Sequence, residues 1–208
     1  TVTLFRQLRT AGPCIGERRL LSLDALRLLM TGADTCSPAL VSDKPRRALE
    51  LAAWSPATFE GDRKVKANAQ RVSCLVLDYD GGATPEQARE LWSDWTHYGP
   101  TSLSHCPAAP AFRVVLPLAS SIDAATFPRL WAWASRRAGG RIVGACQGAS
   151  RAYYLPYDPG GGYRGGAWHH DAGGRLSWSG LLGQGELPDL EAERRAAARP
   201  RPGRRARR

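Results

Sequence analysis

Nowhere does this chain approach the run of about 18 apolar residues that a membrane-spanning helix requires, so no such helix is expected. Its first residues, TVTLFRQLRTAGP, lack the charged start, apolar middle and small-residue cleavage site of a secretion signal. They also lack an initiator Met, as in a chain taken from a longer protein. The five cysteines, Cys14, Cys36, Cys74, Cys106 and Cys146, contain no CxxC pair, which argues against a structural zinc site and equally against a disulfide framework. They read as small buried apolar residues of a protein kept in a reducing, cytoplasmic setting. Lysine is absent after Lys66. Acid is absent from residues 194–208, RRAAARPRPGRRARR, which hold eight arginines; without them the net charge of +10 falls to +2. The folded body is therefore nearly neutral, and the basicity belongs to an arm expected to be disordered. Such an arm either adds sequence-independent affinity for phosphate backbones or links to a further domain.

What is present suffices for a core: 43% of the residues are hydrophobic. In RRLLSLDALRLLMT, Leu20, Leu23, Leu26 and Leu29 recur at helical spacing and predict an amphipathic helix over 18–31. VSCLVLDYD, from Val72, is an almost unbroken apolar run of strand length, as suits a central strand. TPEQARELWSDW opens with Thr84 as cap, Pro85 at the first helical position and Gln87 three residues after the cap, the signature of a capping box. PTSLSHC and AFRVVLPLA predict two strands joined by the turn PAAP. SIDAATFPRLWAWASRRAGG predicts a second helix with Pro128 in its first turn, and SRAYYLPYD a further strand. The order over 72–158 is β-α-β-β-α-β, the α+β ferredoxin-like or RRM-like arrangement of two helices on one face of a four-stranded antiparallel sheet. Residues 1–70 are expected to form an α-rich N-terminal extension packed on this core. Residues 71–185 are expected to be the core, and 186–208 a disordered Arg-rich tail or linker.

Asp78 and Asp80 end the apolar strand in DYDGG. Residues i and i+2 of a strand face the same way, so the two carboxylates are neighbours. Asp80 could cap the following turn, because Asp-Gly is common turn chemistry. Asp78, however, follows Leu75, Val76 and Leu77 directly and should be partly buried, and a buried unpaired carboxylate is costly. A divalent, oxygen-seeking cation, Mg2+ or Mn2+, would relieve that cost for both. Candidate phosphate-binding groups stand on neighbouring segments: Ser104 and His105 in SLSHC, Arg113 in FRVVLP and Arg151 in SRAYYLP. Lys64 and Lys66 precede the strand and could contact template or triphosphate, although solvated lysines are the plainer account. His169 and His170, in AWHHDAGG, would point opposite ways on a strand, so a surface loop is expected there rather than a metal pair.

LVLDYDGG resembles the DxD opening of haloacid-dehalogenase-like phosphatases, but that resemblance implies a later lysine and a further acidic pair, and the chain supplies neither. Taken together, LVLDYDGG, TSLSHCPAAPAFRVVLPL and SRAYYLPYDP resemble the catalytic domain of the archaeo-eukaryotic primase superfamily, in particular the primase-polymerase domain of phage and plasmid replication proteins. The likeness spans residues from about 54 to about 182. It implies a nucleotidyltransferase of mobile-element DNA replication that joins nucleoside triphosphates to a primer on a DNA template. Two divalent ions would sit at Asp78 and Asp80, with Ser104, His105, Arg113 and Arg151 on the nucleotide and a helicase domain as a possible partner. The family's third motif is an apolar residue followed by an acid. Here RIVGACQGASR has Gly144 at that position, which leaves Asp158 as a substitute only if its strand returns to the site. The alternative is a primase-like fold that binds nucleic acid without turnover.

Overall fold

The computed structural model of the chain describes residues 1–5, 18–31, 34–35, 42–43, 50–61, 64–158 and 166–198. In chain order they form β1 (Val2–Phe5), β2 (Arg18–Leu21), α1 (Leu23–Thr31), β3 (Asp34–Thr35), β4 (Ala53–Ser55), β5 (Ala57–Phe59) and β6 (Ala69–Asp80). There follow α2 (Pro85–Leu91), β7 (His97–Pro100), β8 (Ala111–Asp123), α3 (Phe127–Arg137), β9 (Tyr153–Tyr154), β10 (Tyr157–Asp158), β11 (Ala167–His170), α4 (Trp178–Gly183) and α5 (Leu190–Ala198). Five strands make an antiparallel sheet in the order β11-β7-β8-β6-β5, and four make a second antiparallel sheet, β2-β1-β4-β9. A short parallel pair joins β10 to β3.

The apolar run in β6 is continuous because both of its faces are covered. Val72, Leu75, Leu77 and Tyr79 face a core built with Trp92 after α2 and with Phe127, Leu130 and Trp133 of α3. Cys74 and Val76 face the opposite core, made with Val2 and Trp54 of the second sheet, Leu26 and Met30 of α1, and Tyr153. The main sheet is thus the middle layer of three. Burying a leucine or phenylalanine side chain contributes roughly 1.5–3 kcal/mol, so this double covering is what orders β6 up to the two aspartates.

Local signals are realised where they are strong. Thr84 accepts from the Gln87 N–H at 3.3 Å and the Gln87 side chain accepts from the Thr84 N–H at 3.0 Å, completing the capping box of α2. Pro128 lies in the first turn of α3 as expected. Other expectations are corrected. Residues 18–21 are a strand, because pairing with β1 overrides their helical spacing, and the helix starts only at Leu23, where the Ser22 hydroxyl accepts from the Ala25 N–H at 3.1 Å. The N-terminal part is not α-rich: its described residues give five strands and one α-helix of more than a single turn. The segment expected as the fourth strand of one sheet is split into β9 and β10, and β9 pairs with β4 in the second sheet. The edge beside β6 is taken by β5 instead.

Residues 190–198, expected within a disordered tail, are the helix α5, and residues 199–208 lie outside the described residues. His169 and His170 belong to β11, where they pair with Tyr98 and His97, rather than to a loop. Cys74 and Cys146 are buried free thiols, whereas Cys106 is exposed; Cys14 and Cys36 lie outside the described residues. No helix among the described residues is long and apolar enough to cross a membrane.

His97 is fully buried, with Nδ1 2.9 Å from the Trp95 carbonyl, to which it donates, and with its ring stacked 4.9 Å from that of His170. Burial, set against that bond, holds its pKa below the usual 6.5. The unfolded chain therefore takes up a proton that the folded chain refuses, and stability contributed above that value is lost as pH falls below it. Melting temperature should decline between pH 7 and pH 5, and His97→Gln should flatten that slope; an unchanged slope would show that His97 is not responsible.

Candidate active site

Asp78 and Asp80 extend the stripe of Cys74 and Val76 beyond the point where the two sheets touch, so the apolar interlayer opens into a polar cleft. Gly81 and Gly82, at φ of 81° and 73°, turn the chain away at once, in a conformation that side-chain-bearing residues rarely adopt. The Gly81 N–H donates to the Pro110 carbonyl at 2.8 Å, tying that turn to the start of β8. The cleft has a volume of about 250 Å3. Asp78, Asp80 and Arg113 line it from the main sheet, Ser102 and Ser104 from the β7–β8 loop, and Arg151, Tyr154 and Leu155 from the far wall.

Register places Arg113 directly opposite Asp78, and the Arg113 Nε lies 3.2 Å from Asp78 Oδ1. The contact is ionic: the Nε–H makes no well-aligned hydrogen bond. The other Asp78 oxygen, Oδ2, accepts from the Cys146 thiol at 3.8 Å. Burial first, and the Asp78 charge second, push the Cys146 pKa up, so the thiol stays protonated and able to donate. Tyr153, behind the pair, is raised well above the usual phenol value, chiefly by burial.

Of the expected phosphate ligands, Ser104 and Arg151 line the cleft and are exposed. Arg113 also lines it, but its guanidinium is engaged within the protein. His105 is not among the lining residues; its Nδ1 accepts from the Ala111 N–H at 3.2 Å. The stretch SLSHC is a turn rather than a strand, with the Ser102 and Ser104 hydroxyls 3.2 Å apart. Lys64 lies outside the cleft, its Nζ 3.5 Å from the Ser150 carbonyl, and exposed Lys66 opens a single 3-10 turn. Asp158 pairs through its backbone with Thr35, and its side chain lies outside the described residues. Ser102, Tyr154 and Cys146 were not singled out from the sequence; only Ser102, two residues from Ser104, carried a signal, since alternate residues share a side.

Gly144 begins a single 3-10 turn, Gly144–Cys146, against β6: the Val143 N–H donates to the Asp78 carbonyl at 2.8 Å. The residue expected to be acidic is thus beside Asp78, and it is glycine. Among the described residues no group of three or more His, Cys, Asp or Glu side chains could hold a metal. Two carboxylates on one strand face still fit one hard divalent ion, since Mg2+ commonly takes one or two carboxylates and completes its shell with water and substrate phosphates.

This three-layer chain, with the cleft between its sheets, shares its fold with a solved primase-polymerase domain. Its structure is similar to that of the primase-polymerase (PrimPol) AEP domain of cyanophage S-2L, with a TM-score of 0.52 and 13% sequence identity over 90% of this chain and 89% of that one. At that identity the likeness is one of fold. No family model matches the chain, and no curated protein matches it by sequence.

Proposed function

We propose that this cleft binds a nucleoside triphosphate with one divalent cation, Mg2+ or Mn2+, and transfers the nucleotide to a primer annealed to a DNA template. The observation that carries the reading is the convergence of Asp78 and Asp80 with Arg151, Ser102 and Ser104 in one cleft, on a fold shared with a primase-polymerase domain. Asp78 and Asp80 would hold the ion, which when bound supplies Lewis-acid polarisation of phosphoryl oxygens. Arg151, exposed at the cleft wall, pairs with phosphate oxygens, and the Ser102 and Ser104 hydroxyls donate to them. The Ala111 N–H fixes the ring of His105 beside the serine turn, where it orients that turn rather than the ion. Lys64, Lys66 and the arginines near the C-terminus would bind the template backbone, with salt-dependent affinity. Replication of a mobile element, beside a helicase, is the setting this chemistry suits.

The haloacid-dehalogenase-like reading falls away, because no lysine among the described residues lines the cleft and β6 is antiparallel to both of its neighbours. A binding-only module is favoured by one feature, Gly144. Extension of a labelled primer with Mg2+ or Mn2+ decides between them: template-dependent extension supports the enzyme. DNA binding with no extension supports the binding module, and triphosphate consumption without template would place the protein among free-nucleotide enzymes.

A Cβ added at Gly144 meets nothing within 4 Å, and the residue has no positive φ. Gly144→Asp should therefore fold as stably as the parent and add a third carboxylate beside Asp78. Mn2+ affinity, read by titration calorimetry, should tighten about tenfold, with faster extension. An unchanged affinity would mean that position 144 does not reach the ion.

A further inference from the structure

Two carboxylates on one strand face repel each other, and the fold answers that repulsion from within. Arg113 is placed for the task by three independent contacts. Its Nε lies 3.2 Å from Asp78 Oδ1, Nη1 donates to the Tyr154 carbonyl at 3.2 Å, and the guanidinium carbon sits 5.4 Å from the centre of the Tyr153 ring. The carbonyl and the ring pin the cation from the second sheet, so it cannot swing out with solvent as a surface arginine does. Only 14% of the Arg113 side chain and 24% of the Asp78 side chain are exposed, so the pair is screened far less than a surface ion pair. Cys146 holds Oδ2 from the other side.

We propose that Arg113 is the resident counter-ion and positioning residue of Asp78, rather than a ligand of the nucleotide. The inference rests on reading the cleft as a divalent-cation and nucleotide site. With Arg113 in place the trio Asp78, Asp80 and Arg113 carries a net charge of −1 instead of −2. The empty cleft then attracts a divalent ion weakly, and the ion binds firmly only with the phosphates of an incoming nucleotide. Arg113 also fixes the rotamer of Asp78 between turnovers, so one carboxylate is already aimed when metal and nucleotide arrive. Because the clamp is anchored on Tyr153 and Tyr154, the two residues of β9, it locks the main sheet to the second sheet at the cleft. Both walls therefore keep their spacing without a ligand.

The test has two arms on the whole chain. In chelator-treated protein, unfolding midpoints are measured for the parent, Asp78→Asn, Arg113→Gln and the double variant. Asp78→Asn should lower the midpoint in the parent and shift it less than half as much when Arg113→Gln is already present; additive shifts overturn the proposal. If Arg113→Gln fails to fold, Arg113→Met, which keeps the stem on the Tyr153 ring, takes its place in the cycle. In the second arm, Mn2+ binding without nucleotide is followed by electron paramagnetic resonance. Loss of the charge in Arg113→Gln or Arg113→Met should tighten Mn2+ about tenfold, whereas Arg113→Lys should stay within about twofold of the parent. Unchanged or weaker binding in the neutral variants overturns the counter-ion role. Coupling in the first arm, with no Mn2+ bound by any variant, keeps the Asp78–Arg113 pair and rejects the metal-dependent reading of the cleft.

Discussion

Asp78→Asn protein should fold and yet extend primers at least about a thousandfold more slowly than the parent, a loss of about 4 kcal/mol in transition-state stabilisation. The substitution keeps the size of the side chain and removes its charge. Asp78 would be one of only two carboxylates on the ion, with Gly144 offering none, so little remains to compensate. The structural cost is smaller: Arg113 keeps the Tyr154 carbonyl and the Tyr153 ring, and the Asp78 side chain, 24% exposed, still meets water through the cleft. Loss of the ion pair should cost about 1–2 kcal/mol of stability, less than breaking a fully buried one. Single-turnover extension and thermal melting of the same preparation separate the two effects. Asp80→Asn should lose activity comparably with almost no change in stability, because Asp80 is exposed. Retention of full activity in Asp78→Asn would end the nucleotidyltransferase proposal. Retention in Asp80→Asn alone would restrict the site to a single carboxylate.

How far this site could be read beforehand depends on how local each signal was. The strand entering the aspartates, the capping box at Thr84 and the strand carrying Arg113 are written in short windows, and the fold honours them. The second sheet is not: β1, β2, β4 and β9 are two to four residues long and come from segments up to about 150 positions apart, so no window contains their pairing. Helical spacing in residues 18–31 was real but lost its first four residues to β1, since a strand edge offers backbone partners that an isolated helix end lacks. Arg113 was legible as a cation near the site, yet not as the partner of Asp78. That depends on the register of β6 against β8, two strands separated in the chain by α2 and β7, so neither strand alone shows it. Cys146, one of the cysteines read as small buried residues, and Tyr153, within a segment read only as a strand, hold the far side of the pair, a role that comes only from where the second sheet docks.

Gly99→Ala should be among the most destabilising substitutions of a small residue in this protein, although it adds one methyl group. Gly99 sits in β7 directly across from Trp168 of β11, and a Cβ built on it falls 1.9 Å from Cε2 of that indole. No real contact is that short, so either the tryptophan or the strand must move. Trp168 packs edge-on against Phe112 at 5.6 Å, and Phe112 stacks on Tyr79 at 4.8 Å. The Tyr79 hydroxyl in turn accepts from the buried Trp92 Nε1 at 3.0 Å. Tyr79 lies between Asp78 and Asp80, so this aromatic row is the backing against which the two carboxylates are held. Overpacking of this kind costs about 3 kcal/mol, which in a chain of this size lowers the melting temperature by roughly 6–12 °C. The loss should reach the cleft: the variant that remains folded at low temperature should bind Mn2+ less tightly than the parent. Trimming the obstructing ring, in the double variant Gly99→Ala with Trp168→Leu, should recover part of the melting temperature that Gly99→Ala alone loses. If the double variant melts below the parent by the sum of the two separate losses, the two residues do not meet as described. The tight approach of β7 to β11 would then have to be explained by something other than the indole.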